Sequence, residues 1–368
     1  MSGCPGRLSR RHFLHALGGA AAGLLAAGCK RQLPLFTAQT NRSGNARARV
    51  AIAHAAGYDR KVITERVRDL LDGIGGLGDI IKSGDRVAIK TNLTGGVNVK
   101  PLPGRSPIES YITHPEVVRA LAAFARDAGA REVYIVEAAY EWESFTQWGY
   151  EAIAREVDAT LIDLNDTAPY TDFAVVPVPE GRFVYKDLAL NHLLQEIDAL
   201  ISVSKLKCHY SCGVTHTMKN LIGLAPCQFY RLNQEDRYRS AFHGTDKQMA
   251  TRLPGVILDL NRARPIHLGV IDGIKTTEGG EGPWIQSMAA VQANVLLAGK
   301  DVVATDAVAT AVMGFDPTAE MPDPPFLRAK NHLNMAYQLG LGTNRLEEIE
   351  VVGAAIADVQ TRFKPCWD

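Results

Sequence analysis

From residue 199 to residue 234 the chain has no Asp or Glu, although 40 of its 368 residues are acidic. A stretch of that length should hold about four. Other absences exclude whole classes of protein. No Gly-x-Gly-x-x-Gly and no Gly-x-x-x-x-Gly-Lys-Ser/Thr occurs, which argues against a Rossmann dinucleotide site and against a P-loop. The Gly-x-Ser-x-Gly turn of serine hydrolases is missing too. Forty basic residues balance forty acidic ones, so the basic excess expected of a nucleic-acid binder is lacking. There is no internal repeat. No apolar run comfortably reaches the roughly 20 residues that a membrane-spanning helix needs.

What is present is an ordinary globular composition, 46% hydrophobic and 22% charged, behind an export address. Ser9-Arg10-Arg11-His12-Phe13-Leu14 is a twin-arginine motif, and residues 16–28 form the short Ala/Gly-rich apolar stretch that follows such motifs. That stretch ends in Leu25-Ala26-Ala27-Gly28-Cys29, which resembles a lipobox with Ala26 where Leu is favoured. A lipid on Cys29 would tether the mature protein to a membrane surface; cleavage after a small residue would release it instead. The expected organisation is a signal peptide over 1–29, a polar linker over 30–48 and an exported body over 49–368. The expected partners are the twin-arginine export machinery, a membrane surface reached through the lipid, and a small anionic ligand, with no nucleic acid. Passengers of this route fold before export, often around a cofactor, so a divalent or transition metal is a natural expectation.

Within the body, short apolar strands alternate with amphipathic helices. The pattern predicts an α/β fold, a mixed or mostly parallel open sheet with helices on both faces, in one or two lobes. Strands are expected at 50–53, 85–90, 133–136, 160–162, 199–203, 268–271, 295–298 and 346–352. Helices are expected at 62–71, 150–156, 249–262 and 302–313. Another helix should start at Thr113-His-Pro-Glu116, read as a capping box on Thr113. Open α/β sheets bind ligands beyond the carboxyl ends of their strands. Those ends carry Lys90-Thr91-Asn92, Lys205-Leu206-Lys207, Asp272-Gly273 and Gly299-Lys300-Asp301.

Three residue sets follow. Lys90, Lys205, Lys207 and Lys219, with Asn92 and Asn220, suit a carboxylate or phosphate; the plain alternative is a group of surface lysines. His209, His216, Cys208 and Cys212, with Glu278, offer soft and hard metal ligands. The spacing matches no standard zinc motif, and a helix starting near Thr215 would separate Cys212 from His216. For Cys208, Cys212, Cys227 and Cys366, metal ligation, disulfides and free thiols all remain open. Asp272, Asp301 and Asp306 join Glu278 as carboxylates for a cation or for general-base work. Asp306, in the first turn of a helix, has an equally good structural explanation. His114 is read as structural and His243 as a weak site residue.

The ordered series Ile89-Lys-Thr-Asn-Leu93, Lys205-x-Lys-x-His209, Met218-Lys-Asn-Leu-Ile-Gly223, Asp272-Gly-Ile274, Glu278-Gly-Gly-Glu-Gly-Pro283 and Leu297-Ala-Gly-Lys-Asp301 resembles the domain of unknown function 362 family. The family name states no activity. Some relatives carry an added ferredoxin-like module, but no Cys-x-x-Cys array exists here, so an iron–sulfur role does not carry over. The resemblance implies that His209 and the lysines belong to the common pattern, whereas Cys208 and Cys212 are peculiar to this chain. The leading expectation is an enzyme acting on a small anion. Lys207 and Lys219 would hold that anion, His209 would shuttle a proton or bind metal, and Asp272 or Asp306 would serve as base. The rivals are a non-catalytic carrier of a metal or organic anion, and a cysteine-based redox protein.

Overall fold

Apolar β-branched runs build the sheet of this computed structural model, which describes residues 47–236 and 238–367. The twin-arginine motif, Cys29 and residues 30–46 of the expected linker lie outside the described residues. The strands are β1 (Ala48–His54), β2 (Arg86–Lys90), β3 (Glu132–Glu137), β4 (Ala159–Asp163), β5 (Phe173–Pro177) and β6 (Asp187–Asn191) in the first half. Then follow β7 (Ala199–His209), β8 (Gly213–Val214), β9 (Leu268–Glu278), β10 (Ala289–Val291), β11 (Val295–Gly299) and β12 (Ile349–Gly353).

The main sheet runs β12-β1-β11-β9-β7-β2-β3-β4, with β8 paired to β7 and β10 to β9, while β5 and β6 form a separate hairpin. From β9 through β7, β2 and β3 to β4 every neighbour is parallel. Alternate side chains of the strands enter two cores. One face packs on the helices Arg60–Gly73, Pro115–Asp127 and Tyr150–Glu156 through residues such as Ile63, Leu70, Val117 and Ile153. The other packs on Asp246–Ala263, Val302–Val312 and His332–Gln338 through Val256, Leu260, Val308 and Leu333. The fold is therefore α/β with helices on both faces, and the described residues form one unit around one large sheet. No helix among the described residues is long and apolar enough to cross a membrane.

The chain order along the sheet reverses at β2. From there β3 and β4 lie on one side and β7 and β9 on the other. A crevice beyond the carboxyl ends of β2 and β7 is where this class of sheet accepts ligands.

Four expectations are corrected. The strand expected to end at Val203 continues to His209, and the one expected to end at Ile271 continues to Glu278. In β7 the apolar signal stops at Val203 because Lys205 and Lys207 are strand residues buried against partners rather than loop residues. Leu206 and Cys208 point into the opposite core, so Lys205, Lys207 and His209 share one face. Second, β11 is antiparallel to both β9 and β1. Its Lys300 and Asp301 thus emerge at the opposite edge from Lys90 and Asp272; Asp301 caps the next helix through the Ala304 amide and Lys300 pairs with Asp79. Third, the helix at 115 is capped by His114, whose Nδ1 accepts from the Glu116 amide at 3.2 Å. Thr113 instead donates to the Val203 carbonyl and accepts from the Asn92 amide. Fourth, the β5–β6 hairpin and the helix His332–Gln338 fall where no element was expected.

The short helix His216–Asn220 carries Lys219 and Asn220, and it is held from outside. Its N-cap, Thr215, makes no side-chain capping bond, and His216 is left-handed with φ of 32°, an uncommon conformation for a side chain of that size. Asp306 replaces the cap: its Oδ1 accepts from the Thr217 amide at 2.9 Å and hydroxyl at 2.5 Å, and its Oδ2 from the Met218 amide at 2.9 Å. Asp306→Ala would strand two buried amides. A loss of about 2–5 kcal/mol is expected, read as a lower urea midpoint with unchanged slope. Burial raises the Asp306 carboxyl to about 7. A folded-state value above the unfolded one means that this group's contribution is full below about pH 4 and declines as pH rises through 7. Asp306→Asn should therefore gain stability relative to wild type between pH 4 and 8, and a parallel pair of pH profiles would contradict this origin.

Candidate functional site

Each lysine ammonium has three N–H donors, and the four lysines at the carboxyl edge differ in how many are used. Lys90, the last residue of β2, donates to the Thr91 carbonyl at 2.7 Å and Asn220 Oδ1 at 3.3 Å, and pairs with Glu137 Oε1 at 2.7 Å. Lys205 donates to Asp272 Oδ2 at 2.8 Å, the Tyr58 hydroxyl at 3.0 Å and the Ile108 carbonyl at 3.4 Å. Both are saturated. Lys207 has two partners, the Tyr111 carbonyl at 2.7 Å and the Glu281 carbonyl at 3.0 Å. Lys219 has no hydrogen bond or ion pair among the described residues, and it is only half-buried.

Charge follows the same division. Lys90 and Lys205 are each matched by a buried carboxylate, whereas among the described residues no carboxylate lies within ion-pair distance of Lys207 or Lys219. Burial lowers Lys90 to about 8 despite Glu137, and it lowers Lys205 despite Asp272. Burial also drives Lys207 well below its ordinary value, and the neighbouring charge of Lys219 adds to that. Burial lowers Lys219 too, with Arg239 adding to the effect and Glu281 opposing it. Arg239 is fixed by the carbonyls of Ala225 at 2.5 Å and Ala138 at 2.7 Å. The set thus holds five cationic side chains against three carboxylates, Glu137, Asp272 and Glu281.

Asn220 ties the set together. Its Oδ1 accepts from Lys90 and from Asn92 Nδ2 at 3.0 Å, and its Nδ2 donates to Ser202 Oγ at 3.1 Å. Asn92 Oδ1 and the Tyr111 hydroxyl are buried without a partner among the described residues. A side chain at Gly223 would place Cβ 2.2 Å from Glu137 Oε1 and 2.6 Å from Lys90 Nζ, so only glycine allows that approach.

His209 follows Lys207 by two residues on the same face of β7. Its Nδ1 accepts from the Ser211 amide at 3.1 Å, which fixes a neutral ring carrying its proton on Nε2. Burial lowers its basicity far below the usual range. Nε2 has no protein partner among the described residues. Glu281 sits opposite, accepting from the Tyr210 amide at 2.9 Å and the Trp284 indole at 3.0 Å. Burial opposes its charge, but that amide and that indole hold the carboxyl below its ordinary range.

Several residues singled out from the sequence are already committed elsewhere. Asp272 receives four donors, from Tyr58, Ile274, Lys205 and His114 at 2.8–3.2 Å; with both oxygens filled it is a counterion to Lys205, not a free base. Asp306 is spent on the helix that carries Lys219. The metal set is not assembled. Among the described residues no three His, Cys, Asp or Glu side chains converge. Cys208 Sγ faces the Lys364 carbonyl, Cys212 Sγ the Val214 carbonyl, and His216 Nε2 lies 3.2 Å from Met313 Sδ. Glu278 accepts from the Lys364 amide at 2.8 Å. Among the described residues Cys208, Cys212 and Cys227 form no disulfide, and burial raises all three thiols.

Sequence reasoning missed Glu137, Glu281, Tyr111 and Arg239. The strand-end rule, applied to β3, would have found Glu137. Glu281 lies between glycines in the same motif from which Glu278 was chosen. His243, close enough to perturb His209, hydrogen-bonds the Arg239 carbonyl at 3.4 Å. A cavity of about 330 Å³ lined by Phe183, Glu320, Lys330, Asn331 and their neighbours shares no residue with this set.

The chain is 28% identical over 276 residues to a thylakoid-associated protein of Synechocystis, covering 73% of this chain and 75% of that one. Among solved structures it is similar to the lactate racemase apoprotein of Thermoanaerobacterium thermosaccharolyticum, with 14% identity and a TM-score of 0.35. That match covers 67% of this chain and spans about half, 54%, of the other. The model of one family matches residues 87–311, more than half of the chain and the whole span from β2 through the helix after β11: the protein belongs to the domain of unknown function 362 family.

Proposed function

We propose that the protein binds a small carboxylate or phosphate at the carboxyl ends of β2 and β7, and acts on it as an enzyme. The observation that carries this reading is the unused capacity of Lys219 and Lys207 beside the saturated Lys90 and Lys205. An unpaired cation in a sheltered position is expensive unless an anion completes it. Lys219 supplies the charge and the free donors; Asn92, Tyr111 and Lys207 line the same region. His209 Nε2–H is a neutral proton donor beside them, suited to bind an oxygen on which charge develops. That donor favours an enzyme over a plain carrier.

Export and membrane attachment belong to the same reading. They rest on the twin-arginine motif and on Cys29, and a relative described as thylakoid-associated accords with a protein held at a membrane surface. Replacing Arg10 and Arg11 by Lys should leave the precursor in the cytoplasm. Cys29→Ala should shift the exported protein from the membrane to the soluble fraction. Fractionation that finds no change in either variant would remove the address.

Anion binding is checked by unfolding with and without inorganic phosphate or succinate. At a concentration of 100 times Kd the wild type should gain about 2.7 kcal/mol. Lys219→Met, folded by circular dichroism, should lose most of that gain. Wild-type stability unaffected by either anion would refute the site. Asp272→Asn tests the structural role of the neighbouring pair: it should destabilise by about 3–5 kcal/mol, because Lys205 keeps a buried charge without its counterion, whereas the anion-induced gain should persist in the fraction that folds.

A further inference from the structure

Lys207 is held in a way that suits an amine better than an ammonium ion. Its Nζ is enclosed, with the residue 1% exposed, and its two acceptors are both neutral backbone carbonyls, of Tyr111 and Glu281. A neutral amine has two N–H bonds and one lone pair. Two carbonyls satisfy both N–H bonds and leave the lone pair free. An ammonium ion in the same place would bury a third N–H without an acceptor and a full charge without a counterion, which costs several kcal/mol. The contrast lies in the same strand: Lys205, two residues earlier, has all three donors filled and a carboxylate at 2.8 Å. Repulsion from Lys219 favours the neutral form further, and a desolvated lysine beside another cation is the setting in which lysine amines become nucleophiles; the Tyr111 ring, 6.0 Å from Nζ, is a weak opposing influence.

We propose that Lys207 is an amine nucleophile, and that the anion taken by this site is a 2-oxo acid, its carboxylate on Lys219 and its carbonyl carbon facing Lys207 Nζ. This rests on the anion-binding reading above and adds the reaction. Side chains two apart on one face of a strand are separated by roughly 6.6 Å along it, so a carbonyl group fits between Lys207 and His209. The Nζ lone pair forms the C–N bond while the carbonyl π pair moves to oxygen, where His209 Nε2–H stabilises it. Both amine hydrogens then leave with that oxygen as water, and a neutral imine remains; no oxidant or reductant is consumed. Access to the amine lies under the turn between β9 and β10, which provides the Glu281 carbonyl. That turn is tied down by the Tyr210 amide and the Trp284 indole on the Glu281 carboxylate, so a carbonyl substrate reaches the amine only when the turn shifts.

The test uses the wild-type protein and needs no variant to fold. Glyoxylate, pyruvate and 2-oxoglutarate are each incubated with the protein and the imine is trapped with borohydride, which adds hydride to carbon and makes the link permanent. The expected result is one reduced adduct per chain with at least one of the three, mapped by peptide mass to Lys207. Inorganic phosphate should protect against it, and Lys219→Met should slow it by about tenfold or more, as loss of a charged hydrogen bond implies. If phosphate stabilises the protein but no 2-oxo acid labels Lys207, the nucleophile is refuted and the anion site stands. If phosphate has no effect and labelling is absent, both readings fall. Labelling spread evenly over surface lysines also overturns the proposal.

Discussion

A lysine can be buried in a sheet only if its donors find acceptors, and this constraint organises the carboxyl edge of the molecule. The two saturated lysines act as staples between adjacent strands. Lys90 joins β2 to Glu137 at the end of β3, and Lys205 joins β7 to Asp272 in β9. Between those pairs lies the boundary of β2 and β7, where the order of the sheet reverses and, among the described residues, no ion pair joins the carboxyl ends of the two strands. Asn220 bridges it instead, touching Lys90 on one side and Ser202 on the other. The strand ends that frame the crevice are thus fixed by interactions whose disruption would leave charge uncompensated in a medium of low polarity.

The unsaturated lysines depend on that frame without contributing to it. Lys219 rides on a helix of five residues, too short to be stable on its own propensity. Its position is set by Asp306, which arrives from a helix on the far side of one core, and by Asn220, which arrives from the next residue along. Lys207 is placed by β7 itself. A strand that keeps its pairing through Lys205, Lys207 and His209 points all three to one face, and a local irregularity against β9 between Lys205 and Lys207 separates two lysines with different roles. Rigid sheet thus positions the amine and the imidazole, and a remotely tethered helix positions the free cation.

Most of the architecture was legible in the chain because apolar runs with clear punctuation build it: β1 to β4, the start of β7 and the helices after β2, β3 and β11 lie close to where periodicity puts them. What was not legible has physical causes. Strand direction leaves no mark in hydrophobic pattern, so Asp301 and Lys300 were assigned to the wrong edge. A strand that buries charged side chains loses its apolar signal, so β7, with Lys205 and Lys207, and β9, with Asp272, seemed to end early. The choice between Thr113 and His114 as cap turned on a tertiary contact, since the Thr113 hydroxyl is claimed by Val203 of a distant strand. At the site, residue type marked the lysines and His209, but not the number of donors each has left. That number depends on Glu137, Asp272, Tyr111 and Glu281, which come from four separate segments.

The acid-free stretch acquires its meaning from those same segments. Had acids been interspersed among Lys205, Lys207 and Lys219, each cation would have met a local partner with a side chain free to adjust. Instead the acids arrive from β3, β9 and the turn before β10, on backbone that is already fixed, and each can reach only one place. Asp272 is consumed by Lys205 with four donors on its two oxygens, and Glu137 is occupied by Lys90 and the Leu93 amide at 2.9 Å. Glu281 turns its carboxylate to Tyr210 and Trp284 while presenting only its carbonyl to Lys207. Rigid delivery of counter-charge therefore gives two lysines a carboxylate and leaves the other two without one. In a flexible arrangement that imbalance would relax away; here the sheet preserves it, and the resulting vacancy for negative charge is a property of the fold rather than of any one residue.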